Sequence, residues 1–280
     1  MLTALSVKLP ERPSGIRAAA RRLKRDKIQI DVRRARGVTL RHIIYISYSG
    51  QVRLDKTDRV IGSQRSKLLC SDKLVFPHHS GYRRFYSTSF KTRLCTNAAL
   101  AIIKSLKNSE RLRLGIADAR GGCVEFFLSA LKYCSDVTVY TNNTAAYREA
   151  LDEALCEIGA TAEVTQNPGT LASRDLIIIP EKNYGQILPD EKSLVLCIDK
   201  DDAKNPNSYF DYKINVPSGF DSIKPDDLDS VYFCSALYTL ATQYELGSMV
   251  PREIAGGGKI RTIESLSSYL ANLLDNQCKK

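Results

Sequence analysis

The residue types best suited to chemistry in this chain gather at one turn, Asp118-Ala119-Arg120-Gly121-Gly122-Cys123. A glycine pair between an apolar strand and an apolar helix lets backbone amides approach an anion, and the amino end of the helix favours negative charge. A carboxylate beside that place, Asp118, works against an anionic ligand unless Arg120 neutralises it. The plainer reading is a tight strand-to-helix turn that binds nothing. Cys123 likewise reads either as a thiolate stabilised by the helix end or as a small packed hydrophobe.

A second set lies in the irregular stretch 58–95. Arg65, His78, His79, Tyr82, Arg83 and Arg84 mix cations with aromatic rings, which suits a flat or anionic ligand. It equally suits a strand that packs its rings and exposes its arginines. Cys70, His78, His79 and Cys95 carry zinc-ligand chemistry, but their spacing fits no common metal pattern. Asp199, Asp201 and Asp202 follow an apolar run, as turn formers do. No metal is predicted.

The elements that must position the turn are legible by period. Leu112, Leu114 and Ile116 alternate as a buried strand does, Val124 to Leu131 reads as a helix, and Val137 to Tyr140 as a second strand. Asn142-Asn143-Thr144 ends that strand and opens a helix from Ala145 to Ile158, stopped by Gly159. Further strands are expected at 162–165, 175–179 and 193–198. Continuous apolar runs of this kind belong to strands buried on both faces of a parallel sheet. The expected fold is therefore α/β: a Rossmann-like, doubly wound, mainly parallel sheet, with an N-terminal α+β region and C-terminal helices. In such sheets ligands lie at the carboxyl ends of the strands, here near Asp118 to Gly122, Asn142 to Thr144 and Pro180.

The flanking regions carry further expectations. Ile16 to Arg25 reads as a basic helix, and Ile28, Ile30 and Val32 as an alternating strand. Ile43 to Tyr48 is expected to pair with 51–54 as a hairpin about Ser49-Gly50. Thr96 is expected to cap a helix that leads into the central strand, and 226–246 and 262–274 to be helices around a mobile-looking Gly256 to Lys259. These patterns divide the chain into 1–107, a basic α+β domain, 108–216, a Rossmann-like domain, and 217–280, helices packing back on the core.

The net charge of +10 conceals an asymmetry: residues 1 to 110 hold 24 Lys and Arg against 7 Asp and Glu, which leaves the remainder at −7. Ten basic residues fall between Arg17 and Arg41. Such a surface suits nucleic acid, or docking on an acidic partner or on the acidic half of the same chain. Aromatics do not interleave with these charges as single-strand binders require, so a solvated helix face is the alternative. The eight cysteines include no C-x-x-C pair, and most sit in apolar patterns, which points to a reducing cytoplasm. Neither a signal-peptide core nor an apolar run of membrane-spanning length is present, so no membrane role is expected.

The order of parts over residues 96–200 resembles the nucleotide domain of shikimate dehydrogenases and glutamyl-tRNA reductases. The linking helix after Thr96-Asn97, the strand into Gly121-Gly122, Val137-Thr-Val-Tyr-Thr-Asn142-Asn143-Thr144, and the runs ending at Pro180 and Asp199 carry the likeness. The resemblance implies an NAD or NADP cofactor held by Asp118, Arg120, Gly121, Gly122, Asn142, Asn143, Thr144 and Pro180. Independently of the resemblance, the helix after Thr96-Asn97 enters the first strand after a short connection, so residues 58–95 are expected against one end of that sheet. Some of Arg65, His78, His79, Tyr82, Arg83 and Arg84 are then expected to face Gly121-Gly122 across a cleft that takes a small anionic ligand. This sequence departs from the family in three places: Asp118-Ala119-Arg120 replaces a glycine-rich turn, Asn143 stands where an arginine grips the 2′-phosphate of NADP, and the catalytic Lys and Asp have no matching motif. The functional expectation is a nucleotide- or NAD(P)-binding, dehydrogenase-like protein. Its alternative is a non-enzymatic binding or regulatory module with a basic N-terminal surface.

Overall fold

The computed structural model of the chain describes residues 1–9, 25–48, 52–182, 187–241 and 249–277. It divides into two compact units, one of Met1–Ser87 with Val216–Gln243, the other of Thr88–Asn215 with Tyr244–Lys280.

The first unit is built on four strands: β1 (Leu2–Lys8), β2 (Lys27–Ala35), β3 (Val38–Ile46) and β4 (Leu69–Cys70), in the order β2-β3-β1-β4. β2 and β3 form an antiparallel hairpin, and β1 runs parallel to both β3 and β4. One face packs Leu2, Ala4, Leu40 and Leu69 against Phe220, Phe233 and Leu237. The other packs Leu5, Ile43 and Tyr45 against Ile61 and Tyr82. Because both faces are covered, five successive residues from Leu2 to Ser6 are buried and the period of two vanishes, so the strand is silent in the pattern.

Two local expectations change here. Leu54 opens a helix, α1 (Leu54–Ile61), and the strand that pairs with β3 is β2 rather than 51–54. The helix expected from residue 226 begins at Ser230: α5, as numbered along the whole chain, covers Ser230–Ala236 and continues as a π-helical turn over Leu237–Ala241. Asp229 caps it by accepting from the Tyr232 amide. Residues 16–24, 49–51 and 242–246, which figured in those expectations, lie outside the described residues.

The second unit begins with α2 (Ser89–Ser105) and alternates β5 (Arg113–Ala117), α3 (Val124–Leu131), β6 (Asp136–Tyr140), α4 (Thr144–Ile158) and β7 (Glu163–Thr165). It continues with β8 (Leu176–Ile179), β9 (Leu194–Cys197) and β10 (Ser208–Tyr209). These six strands are parallel, in the order β10-β9-β8-β5-β6-β7. The fold is α/β and Rossmann-like, and β5, β8 and β9 are buried almost throughout, as their unbroken apolar runs require. Thr96 does not start α2 but lies buried within it, its hydroxyl donating to the Thr92 and Arg93 carbonyls. A hairpin of β12 (Glu253–Gly256) and β13 (Lys259–Arg261), with β11 (Asp211–Lys213) beside it, replaces the mobile stretch, and α6 (Ile263–Gln277) follows.

Candidate functional site

β6 and β7 lie on one side of β5, while β8, β9 and β10 lie on the other. The connections leaving β5 and β8 therefore diverge, and the carboxyl ends of these two strands form the topological switch point of the sheet. Asp118 to Gly122 leave β5 there, Asn142 to Thr144 leave β6, and Pro180 leaves β8. The first two segments are joined by hydrogen bonds: Asn142 N–H donates to the Ala119 carbonyl at 3.0 Å, and Asn143 Nδ2 to the Arg120 carbonyl at 3.4 Å. From α2, the Thr92 hydroxyl donates to the Pro180 carbonyl at 2.6 Å.

The turn itself is organised by Asp118. This carboxylate is only 2% exposed. Its Oδ1 accepts from the Gly121 and Gly122 amides, each at 3.1 Å, and its Oδ2 from the Cys123 amide at 2.7 Å. The Tyr147 hydroxyl on α4 donates to the same Oδ2 at 2.6 Å. Gly121 takes φ +79°, and a Cβ there would stand 2.9 Å from Asn143 Nδ2, so both backbone and space call for glycine. Burial first, and then the neighbouring Asp118 charge, push the Tyr147 phenol far above its ordinary range. The same two causes, in the same order, raise the Cys123 thiol, and with its burial this supports the packed reading of that residue.

Charged side chains ring the outer side. Arg120 is largely exposed and pairs with Glu181 at 3.4 Å, while its amide donates to Glu181 Oε1 at 3.1 Å. Lys182 pairs with Asp199 at 2.6 Å. That hydrogen bond, assisted by the Asp201 amide, lowers the Asp199 carboxyl, whereas burial raises that of Glu181. Tyr147, Glu181 and Lys182 did not register in the sequence as site residues. Tyr147 sits on the apolar face of its helix, and the only pointer to the other two was their place directly after Pro180.

Whether a dinucleotide fits is decided by spacing. A strand-to-helix fingerprint G-x-G-x-x-G beginning at residue 118 would place glycines at 118, 120 and 123; this chain has Asp118, Arg120 and Cys123. The amides that would receive the pyrophosphate already hold the Asp118 carboxylate. The residues present do not fit a dinucleotide pyrophosphate at the turn amides.

Two cavities of this unit lie elsewhere. One of about 460 Å³, lined by Arg113, Arg174, Asp175, Asp190, Lys192 and Gln277 among others, opens at the amino ends of the strands. A second, of about 260 Å³, lies between the end of α2 and α6. Size alone does not make the first a site: Asp175 is taken by two prongs of Arg113, at 2.7 and 3.0 Å, and by the Gln277 amide at 2.7 Å. The switch point, where chain topology and polar groups converge, remains the candidate. Among the described residues no group of three or more His, Cys, Asp or Glu could hold a metal ion, and no helix is long and apolar enough to cross a membrane.

The second residue set belongs to the first unit. Tyr82 is buried, with its hydroxyl donating to Asp58 at 2.7 Å. Arg84 donates to the Cys70 carbonyl and lies over the Tyr232 ring, 3.8 Å from its centroid. Both are held by their own unit. Arg65, His78, His79 and Arg83 are exposed.

No protein-family model matches the chain, and no curated protein matches it. Three solved structures show a distant likeness. A Δ(1)-pyrroline-2-carboxylate reductase of Thermococcus litoralis, solved with NADH and L-proline, is 14% identical over 72% of this chain and 70% of its own, with a TM-score of 0.30. A lysine cyclodeaminase, described for its recognition of L-lysine, L-ornithine and L-2,4-diaminobutyric acid, is 13% identical over 72% of this chain and 64% of its own, at 0.29. A ligand-free 5-ketofructose reductase of Gluconobacter sp. strain CHM43 is 12% identical over 99% and 98% of the two chains, at 0.30. Likeness at this level assigns no ligand or activity to this chain.

Proposed function

We propose that the chain is a Rossmann-like nucleotide-binding protein whose ligand lies at the carboxyl ends of β5 and β8, with NAD or NADP as the cofactor class. The reversal of strand order between β5 and β8 carries this reading, because open parallel sheets hold ligands where neighbouring connections diverge. With the turn amides taken, a dinucleotide sets its pyrophosphate against the side chains of Arg120 and Lys182 and its adenosine ribose toward Asn142 to Thr144. Arg65, His78, His79 and Arg83, the exposed members of the second set, are proposed on the first unit, taken by itself, as contacts for a small anion. Thermal unfolding in the presence of NADPH, NADP, NAD, ATP and S-adenosylmethionine tests it, since a ligand bound only by the native state raises the midpoint. A saturable rise with a nicotinamide nucleotide upholds the reading, and no rise with any of the five overturns it.

One observation favours a second reading. Asp118 saturates the fold's own anion-binding amides, which suits a non-enzymatic module whose sheet is a scaffold and whose basic N-terminal segment binds nucleic acid or an acidic partner. Such binding weakens steeply with salt. Deleting the N-terminus would remove β1, an inner strand, so the test is charge neutralisation: Arg17, Arg21, Arg22, Lys24 and Arg25 changed to Gln. A reduced salt slope for DNA or RNA binding supports this reading, and an unchanged slope, or no binding at low salt, sinks it.

A further inference from the structure

A strand-to-helix turn of this fold normally leaves its amides open to a ligand's phosphate. Here three successive amides, of Gly121, Gly122 and Cys123, and one phenol, of Tyr147, all point at a single carboxylate from within the chain, at 3.1, 3.1, 2.7 and 2.6 Å. Each oxygen of Asp118 accepts two hydrogen bonds, so neither has a further in-plane lone pair to offer. The carboxylate sits at the position of the first fingerprint glycine, and it is buried. Two further departures point the same way. Arg120, at the position of the second glycine, places a side chain where a pyrophosphate needs bare backbone, and Cys123 replaces the third.

We propose that Asp118 is a resident anion, standing in for the ligand phosphate and closing the turn to phosphorylated ligands. The device determines specificity at the switch point: whatever nucleotide or nucleoside the chain takes there is bound without phosphate on the α3 amides. Tyr147 is its positioning residue, holding Oδ2 from α4. The inference rests on the nucleotide reading only for what the turn would otherwise bind. Self-occupancy stands or falls separately.

The experiment is anion rescue. Asp118→Ala leaves three amides and a hydroxyl converging on a vacated carboxylate position. Thermal unfolding of the wild type and of D118A is followed with sodium formate and with inorganic pyrophosphate, against chloride at matched ionic strength. The expected result is a D118A midpoint below that of the wild type, raised saturably by both anions. Pyrophosphate should bind D118A at least about tenfold more tightly than the wild type, the scale of losing one or two charge-assisted hydrogen bonds. A wild type that responds to pyrophosphate as D118A does, or a D118A that responds no more than to chloride, overturns the proposal. Should D118A not fold in any of these salts, the amide resonances of Gly121, Gly122 and Cys123 in the wild type decide: unmoved by pyrophosphate they uphold it, and saturable shifts reject it. Rescue of D118A together with no nucleotide binding by the wild type would sink the nucleotide reading alone.

Discussion

The Tyr147 hydroxyl lies 2.6 Å from Asp118 Oδ2, a bond that ties α4 to the end of β5 in a fully buried setting. The ring meets Phe127 edge-on, with centroids 5.1 Å apart. Tyr147→Phe keeps that contact and removes only the donor. We expect a loss of about 1–3 kcal/mol, because the buried carboxylate is left one partner short. Denaturant unfolding of the two proteins measures it, and a change too small to resolve would mean that Asp118 is not organised from α4.

His42 gives the first unit an acid sensitivity. Its Nε2 is 2.6 Å from Ser6 Oγ, which donates onward to Asp227 at 2.8 Å, while its buried Nδ1 has no hydrogen-bond partner. Burial, and then Arg33 with a smaller part from Lys8, lower its pKa below 6.5, against the opposing pull of Asp227 and Asp31. Below that value the unfolded chain binds the proton before the folded one does. The stability present above it is therefore lost as pH falls toward the folded pKa. We expect the unfolding midpoint to drop as the pH falls below about 6.5, and to drop less in His42→Gln. Parallel pH profiles for the two proteins would contradict this.

Seven cysteines are described, and of these only Cys156 is exposed. Burial holds the thiols of Cys95, Cys134 and Cys234 up at about 12 and that of Cys70 at about 11. A thiol reagent added to native protein should label Cys156 within the described chain, and the other six only on unfolding. Peptide mass spectrometry reads this directly. Rapid native labelling of Cys123 would contradict its burial at the turn.

Gly256 lets β12 cross close to β10. A Cβ there would overlap the Ser208 carbonyl oxygen, a backbone atom that cannot swing aside. Gly256→Ala should destabilise the second unit by roughly 3 kcal/mol, the upper end of the usual overpacking range. The check is chemical denaturation, and a near-neutral result would show that the hairpin yields.

Much of the second unit was legible in the sequence, because period and punctuation agreed there. Val124 to Leu131 and the stop at Gly159, which takes the left-handed conformation expected of a helix end, are seen where the pattern put them. Strands β5, β6, β8 and β9 lie within a residue or so of their apolar runs. The first unit was less legible for a physical reason. β1 is buried on both faces and has no alternation, and β4 is two residues long and owes its pairing to β1. The same limit applied to the turn: the sequence placed Asp118 beside the glycines and suggested Arg120 as its counter-charge. The carboxylate's real partners are amides and a phenol 29 residues away, a match that only the packed α4 makes.

The core of the first unit unites residues from both ends of a long interval. Leu2, Ala4, Leu40 and Leu69 have their covering partners in Phe220, Phe233 and Leu237, with the whole six-stranded sheet encoded in between. During vectorial synthesis, at about 5–20 residues per second, that apolar face waits on the order of ten seconds for its cover to leave the ribosome. The parallel sheet of the second unit is translated within this delay. The nascent N-terminal strands should therefore be a client for chaperones, and a chain released early, at residue 215, should aggregate where the full chain does not.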